Sequence, residues 1–116
     1  MRILGLVFAG TSTARRPEMA RFLRETLGLE QVRVGGIDAD VFEFPDGARF
    51  VVADPGGMGQ TSRSVGFLIE SLDEAMLELR AVGVEVGDEP GENELQRYVH
   101  FRAPDGELYE LIEERR

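Results

Sequence analysis

A repeat within the chain constrains its fold more than any other feature. Leu27-Gly28-Leu29-Glu30 is echoed by Val82-Gly83-Val84-Glu85, and Pro45-Asp46-Gly47 by Pro104-Asp105-Gly106, at offsets of 55 and 59 residues. In each half the glycine tetrapeptide follows a helix-like stretch and the Pro-Asp-Gly turn comes later, so the order of elements repeats as well as the letters. Two similar halves can face each other and make a cleft between them.

With 116 residues and 42% hydrophobic content, the chain suits one compact domain with its own core. That domain is expected to span residues 1–116, with module one over 1–57 and module two over 58–116. Gly56-Gly57-Met58-Gly59-Gln60 lacks hydrophobic periodicity and reads as a flexible connector between them. No apolar run approaches the roughly 18 residues of a membrane span. Met1-Arg2-Ile3-Leu4 leads into a strand-like stretch with no small-residue cleavage site after it. The expectation is a soluble, cytoplasmic protein.

Absent residue types exclude much chemistry. Without cysteine there is no disulfide, thiolate nucleophile, iron–sulfur cluster or zinc-thiolate site. Lysine is missing too, and all 13 basic residues are arginine, so no side-chain Schiff base and no Walker-type lysine is available. One histidine, His100, remains. A three-histidine metal site within one chain is therefore excluded, and a Ser-His-Asp triad would have to run through that ring. The net charge of −9, with arginines spread along the sequence, argues against nucleic acid and anionic membranes as partners.

The apolar run from Ile3 to Ala9 reads as a buried strand, broken by Gly10-Thr11-Ser12-Thr13. Pro17 fits the first turn of a helix, with Met19, Phe22, Leu23 and Leu27 at helical spacing and Gly28 as the stop. From Gln31 to Asp54 the period falls toward two. Val32 and Val34, Val41 to Phe44, and Phe50 to Val52 form three short antiparallel strands between Gly35-Gly36 and Pro45-Asp46-Gly47. The second half repeats the order: a strand over Ser64 to Ile69, a helix from about Asp73 to Val82, a short strand over Val84 to Val86, and strands at about Arg97 to Arg102 and Leu108 to Ile112. Ser71 or Asp73 could cap that helix, whose apolar stripe is Ala75, Leu79 and Val82. Gly87 to Leu95, acidic and glycine-containing, reads as a mobile loop.

Two consecutive strand-helix-strand-strand-strand units resemble the vicinal oxygen chelate superfamily, which includes glyoxalase I, bleomycin- and fosfomycin-resistance proteins and extradiol dioxygenases. The resemblance spans nearly the whole chain. It is carried by Phe22-Leu23 and Leu27-Gly28-Leu29, by Val65-Gly66-Phe67, by Leu79 to Gly83, and by Phe101-Arg102-Ala103-Pro104-Asp105-Gly106 leading to Glu110-Leu111. It implies an α+β fold: two tandem βαβββ modules forming a curled mixed sheet around a cleft.

In that family the usual metal ligands come from the first, fifth and last strands and are commonly His or Gln, His, and Glu. The resemblance puts these positions at Phe8, Ser64 and Glu110, of which only Glu110 matches. Phenylalanine cannot ligate a cation, a neutral serine hydroxyl is a weak ligand, and one carboxylate does not make a three-ligand cage. His100 could assist if the hairpin closes with Ala103 opposite Glu107, which sets His100 across from Glu110. A register one residue away would point the two side chains to opposite faces. The resemblance favours the first register. Arg102 or Arg49 is an alternative partner for Glu110. His100 could equally be a partly buried ring hydrogen-bonded to a neighbour.

Tyr98, His100 and Arg102 alternate with Val99 and Phe101, giving this strand one polar and one apolar face. The apolar face is expected to meet a helix and the polar face to line the cleft. Ser62-Arg63-Ser64 could supply donors at its mouth. Phe8, with Leu6, Leu68 and Phe42, either offers a stacking surface for an apolar ligand or simply fills the cleft.

The leading expectation is a metal-independent small-molecule-binding module without a cofactor, its ligand held by Phe8, Ser64, Tyr98, His100, Arg102 and Glu110. The first alternative is a lyase, isomerase or dioxygenase with one divalent metal ion, in which Glu110 is metal ligand or general base and His100 its catalytic partner. The second is an interaction protein with a filled cleft. The resemblance further implies a homodimer.

Overall fold

The computed structural model describes residues 1–115. The chain divides into two compact units, the first comprising Phe8–Ser64 and the second Met1–Val7 together with the chain from Val65 onward. Among the described residues the elements are β1 (Ile3–Ser12), α1 (Arg16–Arg21), a π-helical turn (Phe22–Thr26), β2 (Glu30–Val32), β3 (Asp40–Glu43), β4 (Arg49–Ala53), β5 (Arg63–Ile69), α2 (Leu72–Ala81), β6 (Gly91–Glu92), β7 (Gln96–Arg102) and β8 (Leu108–Glu114). The class is α+β with mixed pairing, as the resemblance implies.

In the first unit the strands lie in the order β2-β3-β4-β1. The β2–β3 and β3–β4 pairs are antiparallel, while β1 runs parallel to β4 from Phe8↔Arg49 to Ser12↔Ala53. That ladder carries β1 past the break expected at Gly10-Thr11-Ser12, because pairing with β4 outweighs the local turn preference of these residues. The core on the helix side holds Ala20, Leu23, Phe42 and Val52. Phe42 is fully buried there, so it belongs to this core and not to an apolar pocket.

Of the stripe expected on the first helix, Leu23 is buried in the core and Met19 packs against it, while Phe22 and Leu27 do not join it. The Leu27 amide donates to the Phe22 carbonyl at 3.1 Å, an i to i+5 bond that widens the last turn. Phe22 and Leu27, at the two ends of this turn, are exposed, and Ala20 and Leu23 face the core.

In the second unit the order is β5-β8-β7-β6. β5 is parallel to β8, and β7 is antiparallel to both β8 and β6. α2 covers one face, packing Leu72, Ala75 and Met76 on Ile69, Val99 and Leu111. Each fully buried Leu or Ile contributes roughly 1.5–3 kcal/mol. Ser71 is the N-cap, its hydroxyl accepting from the Glu74 amide at 3.3 Å, and the Glu113 carboxylate accepts from the Leu72 amide at 2.8 Å. Val82, expected in the apolar stripe, lies beyond the helix end and is exposed.

Two further expectations are corrected here. Val84 to Val86 is not a strand; only Val86 forms a bridge, to Phe101. The strand that flanks β7 instead lies inside the stretch Gly87 to Leu95, as β6, with Gly91 opposite Tyr98 and Glu92 opposite Arg97. Arginines hold this stretch. Arg80 donates to the Gly87 and Asp88 carbonyls at 2.9 and 3.0 Å, Arg97 meets Glu92 at 3.3 Å, and Arg115 donates to the Asn93 carbonyl at 3.1 Å. No helix among the described residues is long and apolar enough to cross a membrane.

Candidate functional site

The two Pro-Asp-Gly turns are built alike, and the second one aligns the site. Gly47 and Gly106 take φ of 86° and 85°, a left-handed conformation that glycine adopts without strain. Asp46 and Asp105 each accept, through Oδ1, from the amide two residues on, at 2.9 and 3.0 Å. The Ala103 amide then donates to the Glu107 carbonyl at 3.0 Å. This closes the hairpin in the first of the two registers considered, with His100 opposite Glu110 and Tyr98 opposite Ile112. In the first unit the same positions after the same turn are the apolar pair Val41↔Val51. The acid–imidazole pair thus has no counterpart in the other half.

Strand alternation puts Tyr98, His100 and Arg102 on the face of β7 opposite to Val99, which packs with α2. Glu110 shares that face on β8, flanked by His100 on one side and by Gly66 of β5 on the other. Gly66 brings no side chain to the β5 side of Glu110. Glu110 is buried and His100 half exposed. His100 Nε2 stands 3.4 Å from Glu110 Oε2, an ion-pair contact longer than a well-formed hydrogen bond. The carboxylate raises the His100 pKa above its ordinary value, and partial burial offsets some of that rise. The Tyr98 ring meets the imidazole edge-on, with centroids 6.2 Å apart.

Arg102 is engaged elsewhere. Its guanidinium donates to Glu85 at 2.8 Å and to the Gly106 carbonyl at 2.6 Å, bracing the turn. Glu110 therefore has His100 as its observed charge partner. Phe8 and Ser64 belong to the first unit. Phe8 is half buried on β1 opposite Arg49, and Ser64 is buried on β5 with no hydrogen-bond partner for its hydroxyl among the described residues. The structure thus groups Tyr98, His100 and Glu110 in one unit, with Arg102 at its margin.

The sequence reading did not place two glycines at the site. Gly66 beside Glu110 and Gly91 beneath Tyr98 are both glycines inside strands, and an isolated strand glycine is the available signal for a close approach.

A divalent ion of the kind the fold family implies needs more donors than this group offers. Glu110 and His100 contribute one carboxylate oxygen site and one imidazole, and among the described residues no group of three His, Cys, Asp or Glu side chains could hold a metal ion. The residues present do not fit a three-ligand cage.

Tandem βαβββ units in this order have the fold of the vicinal oxygen chelate superfamily, the glyoxalase/bleomycin resistance/dioxygenase fold. Solved structures share it across nearly the whole chain. Methylmalonyl-CoA epimerase from Mycobacterium tuberculosis matches with a TM-score of 0.70 and 16% identity, covering 98% of this chain and 90% of its own. A glyoxalase/bleomycin resistance protein/dioxygenase superfamily member from Vibrio splendidus 12B01 matches with a TM-score of 0.68 and 11% identity, covering 93% and 97%. A catechol 2,3-dioxygenase matches with a TM-score of 0.76 and 18% identity over 97% of this chain, which spans only 40% of that protein. At these identities the likeness is one of fold. No protein-family model and no curated protein matches the sequence.

Proposed function

We propose that the chain is a metal-independent small-molecule-binding module that holds a small, partly apolar ligand against Tyr98, His100 and Glu110. One observation carries the reading. The two candidate donors are turned to each other, His100 Nε2 lying 3.4 Å from Glu110 Oε2, and the group lacks a third donor among the described residues. An ion held by two side chains would have to fill its remaining positions with water and would bind weakly. The Tyr98 ring and the half-exposed imidazole supply an apolar surface with one polar edge, the combination that small-molecule sites use.

The test is metal content of tag-free protein by inductively coupled plasma mass spectrometry, followed by thermal-shift titration with manganese, nickel, zinc and iron(II). The reading expects no stoichiometric metal and no saturable shift. Near-stoichiometric metal, or a saturable stabilisation lost in Glu110→Ala, would overturn it. That outcome would favour the second reading, a divalent-metal-dependent lyase, isomerase or dioxygenase using Glu110 and His100. The second reading draws support from the half-exposed imidazole beside a buried carboxylate, a pairing that general acid–base chemistry uses.

We also propose a homodimer. Ile3, Leu4 and Leu6 are exposed in succession on β1, an apolar stretch that a second copy would cover.

A further inference from the structure

We propose that Gly91 controls access to the His100–Glu110 pair by giving the Tyr98 ring a place to lie. The inference rests on the reading of this face as the binding face and names a residue that sets its openness. Gly91 on β6 is the cross-strand partner of Tyr98 on β7. A Cβ at Gly91 would stand 2.5 Å from Tyr98 Cζ, 2.6 Å from Cε2 and 2.7 Å from Oη. All three distances are far inside van der Waals contact, so the ring lies over the β6 backbone in space that any other residue would fill.

The ring's placement keeps the pair open. On the other side of β7, Tyr98 faces Ile112, two residues from Glu110 on the same face of β8. With its ring over β6, Tyr98 touches His100 only edge-on. A side chain at position 91 would displace the Tyr98 ring, and because Ile112 across β7 is fully buried, the space left to the ring lies along β7, over the half-exposed imidazole.

The chain beyond Gly91 resists retreat of β6. Asn93 Oδ1 accepts from the Leu95 and Gln96 amides, both at 2.9 Å, and the Arg115 amide donates to the Leu95 carbonyl at 2.9 Å. With Arg97 on Glu92 at 3.3 Å, the turn after Gly91 is fastened on several sides. Strain from an added Cβ therefore falls on the ring.

Because His100 is the chain's lone histidine, its accessibility can be read by one chemical reaction. Carbethoxylation by diethyl pyrocarbonate, at a fixed pH above the imidazole pKa, would be timed for metal-free wild type, Gly91→Ala, Tyr98→Ala and the double variant. Circular dichroism would establish that each is folded. The expected result is a several-fold slower reaction in Gly91→Ala, with the double variant reacting as Tyr98→Ala does. Gly91→Ala reacting as fast as wild type, or a double variant as slow as Gly91→Ala, would overturn the proposal. Should Gly91→Ala fail to fold, the nuclear Overhauser effect between the Gly91 α-protons and the Tyr98 ring in the wild-type protein decides. Its presence supports the placement and its absence overturns it. Metal binding in the titration above would refute the binding-module reading without changing what these metal-free rates say about Gly91.

Discussion

His100 on β7 and Glu110 on β8 are cross-strand partners whose side chains meet at 3.4 Å, the imidazole 51% exposed and the carboxylate 11%. The buried member is the acid and the accessible member is the base, so a molecule arriving from solvent meets the imidazole first.

That contact makes stability depend on pH with a defined sign. The Glu110 carboxylate raises the His100 pKa in the folded protein above the ordinary 6.5. The stabilisation is therefore complete below the unfolded-state pKa and is lost as pH rises through the folded value. Half exposure keeps it small through solvent screening. The urea midpoint is expected to fall as pH rises from just below 6.5 through the raised value, and the fall should vanish in Glu110→Gln. A Glu110→Gln protein that kept the wild-type slope would assign the effect to other groups. The lone ring gives one resonance pair for a parallel titration by nuclear magnetic resonance.

Arg16 presents a different electrostatic case, since one guanidinium serves three carboxylates. It meets Asp40 and Asp54 at 2.9 Å each and Asp38 at 3.3 Å, with its own side chain only 18% exposed. Its pKa is raised, chiefly by the hydrogen bond to Asp40. Removing it leaves like charges facing one another at the ends of β3 and β4. Arg16→Ala is expected to cost about 1–3 kcal/mol in chemical denaturation, because hydrogen bonds to charged groups are lost and acids are left unpaired. Arg16→Lys should fall between, as an ammonium cannot span three partners in a planar fork. Equal stability of all three proteins would show that the network contributes nothing.

The α2 N-terminus carries a smaller, local term. Ser71→Ala removes the acceptor for the Glu74 amide and is expected to cost about 1 kcal/mol, and Ser71→Asp much less. The Leu72 amide keeps its bond to Glu113 in either variant, which confines the loss to one capping contact. Thermal or urea unfolding of the two variants side by side reads the difference.

How legible the structure was depended on the range of the physics involved. The Pro-Asp-Gly turns were readable because their chemistry is local: a glycine at positive φ and an aspartate that caps its own turn. The turn then carried the register that unites His100 with Glu110 across ten residues. The first helix was readable only in part: Met19 and Leu23 meet the core as their spacing implies, but no residue type in Phe22 to Thr26 signals the widened turn that ends the helix. β6 was hidden for a similar reason. Gly91 and Glu92 carry no apolar alternation, and their place depends on Tyr98, Arg97 and Arg115, the last more than twenty residues away. Phe42 was misplaced because alternation shows that a strand has two faces without showing which one meets the helix.

The start of β1 supports a last prediction. Ile3, Leu4 and Leu6 are 49%, 44% and 61% exposed, so side chains pointing to both faces of the strand leave apolar surface in water. Scattered exposed leucines need no explanation, but Leu4 and Leu6 share one face of β1 as neighbours and form a patch of the kind that association buries. Size-exclusion chromatography with light scattering is expected to give twice the mass of the chain, and Leu6→Glu should shift it toward a single copy, because a carboxylate buried in an apolar interface costs several kcal/mol. Leu77 on α2 is also exposed, at 67%, and Leu77→Glu serves as the control that should leave the mass unchanged. A wild-type protein of single-chain mass, or a Leu6→Glu protein that remains double, would remove β1 as the interface.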